Sequence, residues 1–154
     1  KSYEIYRKKK NNSQYFEDCP YFTAAKYLRK MEQVTEAYLK ETGLAPAYAY
    51  ILEALDRYDD VNSIMSISHA LGYERSTVSR LVKKLEKEGL VELSPDGRAT
   101  HVALTAAGKR LDDELIKPSI AKYSADMDTL LGGQERVQLT YLLVESTEKI
   151  ERIL

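Results

Sequence analysis

Two apolar runs of four residues, LVEL at 90–93 and HVAL at 101–104, stand on either side of Pro95-Asp96-Gly97, a turn signal. Strands this short hold only when something packs on them. The chain must therefore supply helices that cover a small hairpin, and the segment just before the hairpin is one. From Arg75 to Glu88 the sequence reads RSTVSRLVKKLEKE and stops at Gly89. On a helical wheel Val78, Leu81, Val82 and Leu85 gather on one side. Ser76, Arg80, Lys83 and Lys87 fall almost opposite, bordered by Thr77, Ser79 and Lys84. The outer face so formed carries hydroxyls in its first turns and cations along its length.

The rest of the chain reads as helices cut by glycine and proline. Asp18 and Pro20 suit a helix start, and Phe22, Ala25, Leu28, Met31, Thr35 and Tyr38 recur at helical spacing up to a stop at Gly43. Pro46 opens a second helix with Ile51, Leu52 and Leu55 on one side, closed by Asp59-Asp60. Ser63 caps a short third helix that Gly72 ends, so Gly72-Tyr73-Glu74 is the turn of a helix-turn-helix. Glu74 is a poor cap for the helix that follows. After the hairpin, Thr105 caps a long helix to about Leu131, with Pro118 expected to kink it near Lys117. Gly132-Gly133 breaks the chain before a last helix whose apolar stripe, including Val137, Tyr141, Leu142, Val144 and Ile150, is too wide for one buried face. The expected fold class is mainly α with a small β-wing. Either packing within the chain or a second copy of it would cover the broadly apolar end helices.

Composition closes off several alternatives. The 154 residues suit one domain, and a hydrophobic content of 44% supports a core. No apolar run of about 20 residues occurs, so no membrane partner is expected, and no signal-peptide pattern is seen. The single Cys19 rules out an intrachain disulfide and fits a reducing, cytoplasmic setting. The opening KSYEIYRKKKNN is basic and irregular, either a flexible tail or an arm touching nucleic acid. His69 and His101 are the only histidines, and neither has a Cys or carboxylate at ligand spacing. With no phosphate loop or nucleophile elbow, no catalytic residue, cofactor or metal site is expected.

With a net charge of −1, the distribution of charge has to indicate the partner. Hydroxyls beside free helix amides suit phosphate or base-edge contacts, Arg80 suits a guanine, and Lys83 and Lys84 suit phosphates. Arg98 at the hairpin tip suits a minor groove, with Asp96 either orienting it or forming the turn. The bland alternative is a solvated face.

The stretch RSTVSRLVKKLEKEGLVE, the turn PDGR and the exit LTAAGKRL resemble the multiple antibiotic resistance regulator (MarR) family of bacterial winged-helix transcription factors, over about residues 18–154. The resemblance implies a winged helix-turn-helix lobe at 46–104 and dimerisation helices at 18–45 and 105–154, after a flexible basic segment at 1–17. It implies a homodimer, with helix 75–88 in the major groove and wing 94–100 in the minor groove of double-stranded DNA at a pseudo-palindromic operator. Ser76, Thr77, Ser79, Arg80 and Lys84 match contact positions of the recognition helix, and Arg98 matches the wing arginine. The wing is short, and Gly97 stands where many members carry a further Arg. Acids such as Asp59, Asp60, Asp112, Asp113 and Glu114 would populate the surface away from DNA.

The resemblance also implies a repressor released by a small molecule or by thiol oxidation. Cys19, at a helix start with Tyr15, Tyr21 and Tyr27 nearby, looks like the sensor of the organic hydroperoxide regulators; its other reading is a packing residue. Tyr21, Tyr27, Tyr48, Tyr50 and Ile51 are candidate walls of a pocket for a small aromatic effector, or else interface packing. The alternative functions are a winged-helix module that binds protein and an architectural protein that binds DNA without sequence preference.

Overall fold

The structure is a computed structural model, and it describes residues 18–154. The basic opening segment and Tyr15 lie outside the described residues. The described residues divide into two compact units between Ala37 and Tyr38.

Helix α1 spans Pro20–Leu39. The carbonyl of Cys19 accepts the Thr23 amide at its head, 3.0 Å away, and Tyr21 and Phe22 meet edge to face. A 3-10 turn, Lys40–Thr42, follows, and Gly43 takes φ of 72° to end it. The left-handed region admits glycine without a Cβ penalty, so the stop expected at Gly43 is realised there.

In the second unit, α2 (Pro46–Arg57), α3 (Ile64–Leu71) and α4 (Arg75–Lys87) precede the hairpin. Ser63 accepts the Ser66 amide, and Ser66 Oγ accepts the Ser63 amide, a complete capping box at the head of α3. Glu74 makes no side-chain cap bond to α4. Helix α4 buries Val78, Val82 and Leu85 completely, beside Ile51, Leu52 and Ile67. Each such side chain contributes about 2 kcal/mol. An exposed ion pair contributes at most about 1 kcal/mol, so the apolar stripe decides how α4 faces.

Strands β1 (Val91–Asp96) and β2 (Ala99–Leu104) form one antiparallel ladder, from Val91 opposite Leu104 to Asp96 opposite Ala99. The ladder is longer than the two runs expected at 90–93 and 101–104. Pro95 and Asp96 belong to the strand, and the turn is Gly97-Arg98. Gly97 has φ of 60° and Arg98 is not left-handed, the pattern of a two-residue hairpin turn with glycine first. Asn62 and Ser63 add a short backbone connection to the open side of β2: the Val102 amide donates to the Asn62 carbonyl at 2.8 Å, and Ser63 bridges His101. The cap of α3 and the wing are thereby tied together.

Thr105 caps α5 (Ala106–Leu111) by accepting the Gly108 amide, and its own hydroxyl donates to the Gly89 carbonyl at 2.6 Å. A π-helical turn, Asp112–Ile116, then leads into α6 (Lys117–Leu131). The expected long helix is therefore interrupted just before Pro118. Proline cannot donate an amide and its ring crowds the carbonyl four residues back, and a π turn takes up the mismatch. Tyr38 reaches α6, bonding Asp126 and meeting the Tyr123 ring edge-on. Helix α7 (Gly133–Glu151) buries none of its residues. Tyr141, Leu142, Val144 and Ile150 are all more than half exposed.

Gly108 has a packing reason that propensity does not reveal. A Cβ there would stand 2.0 Å from the Leu90 carbonyl oxygen, a backbone atom. Gly108→Ala is expected to cost about 3 kcal/mol, as an overpacked site with no room to relax, read as a lower urea midpoint at unchanged slope. Ser63→Ala, which removes the α3 cap, is expected to cost about 1 kcal/mol by the same measurement. A midpoint unchanged in Gly108→Ala would contradict the close approach of α5 to the base of the wing.

Candidate nucleic-acid interface

Because α4 commits Val78, Val82 and Leu85 to the core, with Leu81 packed against it, its polar side chains point outward. Ser76, Arg80, Lys83, Lys84 and Lys87 are exposed, and Thr77 and Ser79 are half-buried at the borders. The residues proposed from sequence thus fall on one ridge. Arg75, at the first position of α4, is also exposed and extends it. The wheel already contained that residue, but its place at the helix end hid its direction. Glu74, Glu86 and Glu88 flank the ridge.

Two contacts hold the ridge in shape. Lys84 Nζ lies 5.0 Å from the centre of the Tyr48 ring, within cation–π range. Ser68 donates to the Tyr73 carbonyl across the helix-turn-helix turn. Beside the turn, Asn62, Ser63, Ser66, Ser68, Tyr73 and Arg75 line an open groove of about 750 Å³. Its wall carries hydroxyls, an amide and one guanidinium, but also the carboxyls of Asp60, Glu74 and Glu151, so the groove itself is acidic and the cations of the ridge, not the groove, suit a phosphate backbone.

The wing presents Arg98 at its tip, exposed to solvent. Asp96 sits at the end of β1 opposite Ala99, and no ion pair joins it to Arg98 among the described residues. The orienting role considered for Asp96 is not realised, because the two-residue turn sends Arg98 off the ladder while Asp96 stays in it.

Within the second unit the candidate effector residues Tyr48, Tyr50 and Ile51 face different surroundings. Ile51 is wholly enclosed in the core and cannot wall an open cavity. Tyr48 faces the recognition helix through Lys84. Tyr21 is exposed and Tyr27 half-buried, both on α1 in the first unit. Tyr50 lines a cavity of the second unit, about 360 Å³ in volume, with Arg57, Tyr58, Leu71, Lys117 and Ile120. Burial, then the nearby Tyr123 and Glu53, raises the Tyr50 hydroxyl pKa above its usual value. Cys19 is a half-buried free thiol just before α1.

A buried ion cluster lies against this cavity, and sequence reasoning missed its centre. Asp112, expected on the surface, is completely enclosed, because the π turn directs it at α2. It meets Glu53, which is itself buried on α2 and binds Arg57 Nε at 2.7 Å. Lys117 Nζ lies 3.4 Å from an Asp112 oxygen, an ion-pair distance without a hydrogen bond, and 2.7 Å from Asp113. It also binds Asp56, as does Lys109 at 2.7 Å. Lys109 and Lys117 hold the Asp56 and Asp113 carboxyls below their usual range. Asp56, Asp112 and Asp113 bring oxygens within 4.8 Å of one another, but the Lys117 ammonium already occupies the place a metal ion would take. The legible signal was Glu53 inside the apolar run ILEAL; nothing local marked Asp112.

The sequence pattern of the MarR family matches residues 42–99, from the 3-10 turn to the wing. An uncharacterized HTH-type transcriptional regulator of Bacillus cereus is 21% identical over 82% of this chain and 86% of its own length. The fold is shared with S. aureus MepR, solved as a DNA complex, at TM-score 0.74 and 19% identity, over 86% of this chain and 98% of that one. It is also shared with the PcaV regulator of Streptomyces coelicolor, solved with its natural ligand, at TM-score 0.74 and 22% identity, over 86% and 94%. The family pattern lies on the helix-turn-helix and wing, and the fold extends over most of the chain: residues 42–99 match the MarR family, and the chain as a whole shares the fold of these solved proteins.

Proposed function

We propose that this regulator binds double-stranded DNA as a homodimer and represses transcription from a pseudo-palindromic operator. The observation that carries the reading is the single outward ridge of α4. Arg80 and the hydroxyls of Ser76, Thr77 and Ser79 read base edges in the major groove, Arg75, Lys83 and Lys84 neutralise phosphates, and Arg98 enters the minor groove from the wing. That S. aureus MepR, on a shared fold, is solved as a DNA complex supports a DNA partner.

Dimerisation is supported by α7, whose apolar residues are exposed in the isolated chain. Segments 18–45 and 105–154 would pair with a second copy, leaving 46–104 as the DNA-binding lobe. Two recognition helices then meet half-sites about one helical turn apart. No helix of the described residues is long and apolar enough to cross a membrane, and a cytoplasmic location follows from the DNA partner.

Release is proposed to come from a small aromatic effector seated in the cavity at Tyr50, where Tyr58 and Ile120 offer apolar contact and Arg57 and Lys117 offer charge. That Streptomyces coelicolor PcaV, on a shared fold, is solved with its natural ligand supports a bound effector. Such a molecule releases DNA only if it prefers the dimer geometry that cannot bind it. Oxidation of Cys19 is the other proposed trigger.

The test is a titration of genomic DNA fragments selected by the purified protein, run against random duplex at several salt concentrations. Arg80→Ala is expected to abolish the preference for selected fragments. Lys84→Ala is expected to weaken all duplexes alike and lower the salt slope by about 1. Equal affinity for selected and random duplex would leave an architectural protein, and no salt-dependent binding at all would leave a protein-binding module. In sedimentation, Leu142→Glu on α7 is expected to shift the dimer to monomer and abolish operator binding; an intact dimer would contradict the assignment of that face.

A further inference from the structure

The second unit buries two carboxyl groups against each other. Asp112 of the π turn has no solvent-exposed surface, and Glu53 of α2 is nearly as enclosed. Arg57 binds one Glu53 oxygen. The other Glu53 oxygen and both Asp112 oxygens find no hydrogen-bond donor among the described residues. Burying an ionised oxygen without a donor costs more than a typical hydrogen bond contributes, so two bare carboxylates in contact are not a stable arrangement.

The surrounding charges do not resolve it. The cluster contains the carboxyls of Glu53, Asp56, Asp112 and Asp113 and the cations Arg57, Lys109 and Lys117. These are the charged groups that α2, α5, the π turn and α6 turn toward it, and Lys40 and Glu41 of the 3-10 turn stay in solvent. With every group ionised the cluster carries one excess negative charge. A single proton removes that charge and also supplies the missing donor. Burial, then the Glu53 charge, pushes the Asp112 carboxyl up to about 7, against the opposing pull of Lys117.

We propose that Asp112 keeps its proton near neutral pH and donates it to Glu53, and that this carboxyl–carboxylate bond is a proton-sensitive latch joining α2 to the π turn. Loss of the proton sets two anions face to face in a dry site, and α2 and the π turn separate to hydrate them. The joint lies between the winged lobe and the long C-terminal helices, and α2 also carries Tyr48 against Lys84 of the recognition helix. The latch would thus make the seating of the ridge depend on pH; this last consequence rests on the function proposed above.

The sign is fixed by linkage. A carboxyl whose folded pKa is raised holds a proton that the unfolded chain has already released, so its contribution to stability falls as pH rises from about 4 to about 7. The experiment follows side-chain carboxyl carbons by NMR in full-length protein carrying labelled aspartate. One aspartate is expected to titrate near pH 7, and that signal is expected to be missing in Asp112→Asn, which keeps a donor for Glu53 without the charge. Amides of 112–116 are expected to lose about tenfold in exchange protection between about pH 6 and pH 8.5 after correction for intrinsic rates, and to keep it in Asp112→Asn. Aspartates all titrating below about pH 5 in the wild-type protein would overturn the latch whether or not the variant folds. A pH dependence of duplex affinity equal in wild type and Asp112→Asn would overturn its coupling to DNA. Absence of duplex binding at every pH would count against the proposed function, and the carboxyl titration would still decide the latch.

Discussion

Everything proposed for this protein depends on the burial of three side chains, Val78, Val82 and Leu85, on one side of α4. Their burial contributes about 6 kcal/mol together, comparable with the whole stability of a small domain. No arrangement of surface ion pairs competes with that. The core thereby fixes the rotation of the helix about its axis, and Arg80, Lys83 and Lys84 must face solvent whatever their own preferences. The basic ridge follows from apolar packing on the opposite side.

The parts around α4 keep that ridge in register. The capping box at Ser63 starts α3, and the same backbone stretch bonds β2 through Asn62 and Val102. The helix-turn-helix and the wing are therefore joined by a backbone hydrogen bond as well as by sequence. Gly108 lets α5 approach the Leu90 carbonyl, which closes the base of the wing. The motif LTAAGKRL thus combines a helix cap at Thr105 with a close contact only glycine allows. In α4, where Glu74 provides no cap, the first-turn amides keep no side-chain partner, and an anionic partner is a natural complement.

Much of this was legible in the sequence, because it rests on local rules. Helix starts at Pro46, Ser63 and Thr105, stops at Gly43 and Gly72, and the two faces of α4 all come from spacing and capping chemistry. The misreadings come from tertiary effects. Pro95 and Asp96 resemble a turn, but the ladder extends past them because Gly97 alone can open a two-residue loop. Ile51 shares a helix with Tyr48 and Tyr50, yet the core claims it. Asp112 sits in the acidic string DDE and reads as surface, and only the π turn forced before Pro118 carries it inside. Glu53 was the one visible warning, an acid within an apolar run.

The central claim is that a dimer sets two α4 ridges on one side of a duplex. Hydroxyl-radical footprinting of a selected fragment tests it most directly. The account predicts two protected patches of opposite strand polarity with centres about one helical turn apart. A single patch, or uniform protection along the duplex, would contradict it.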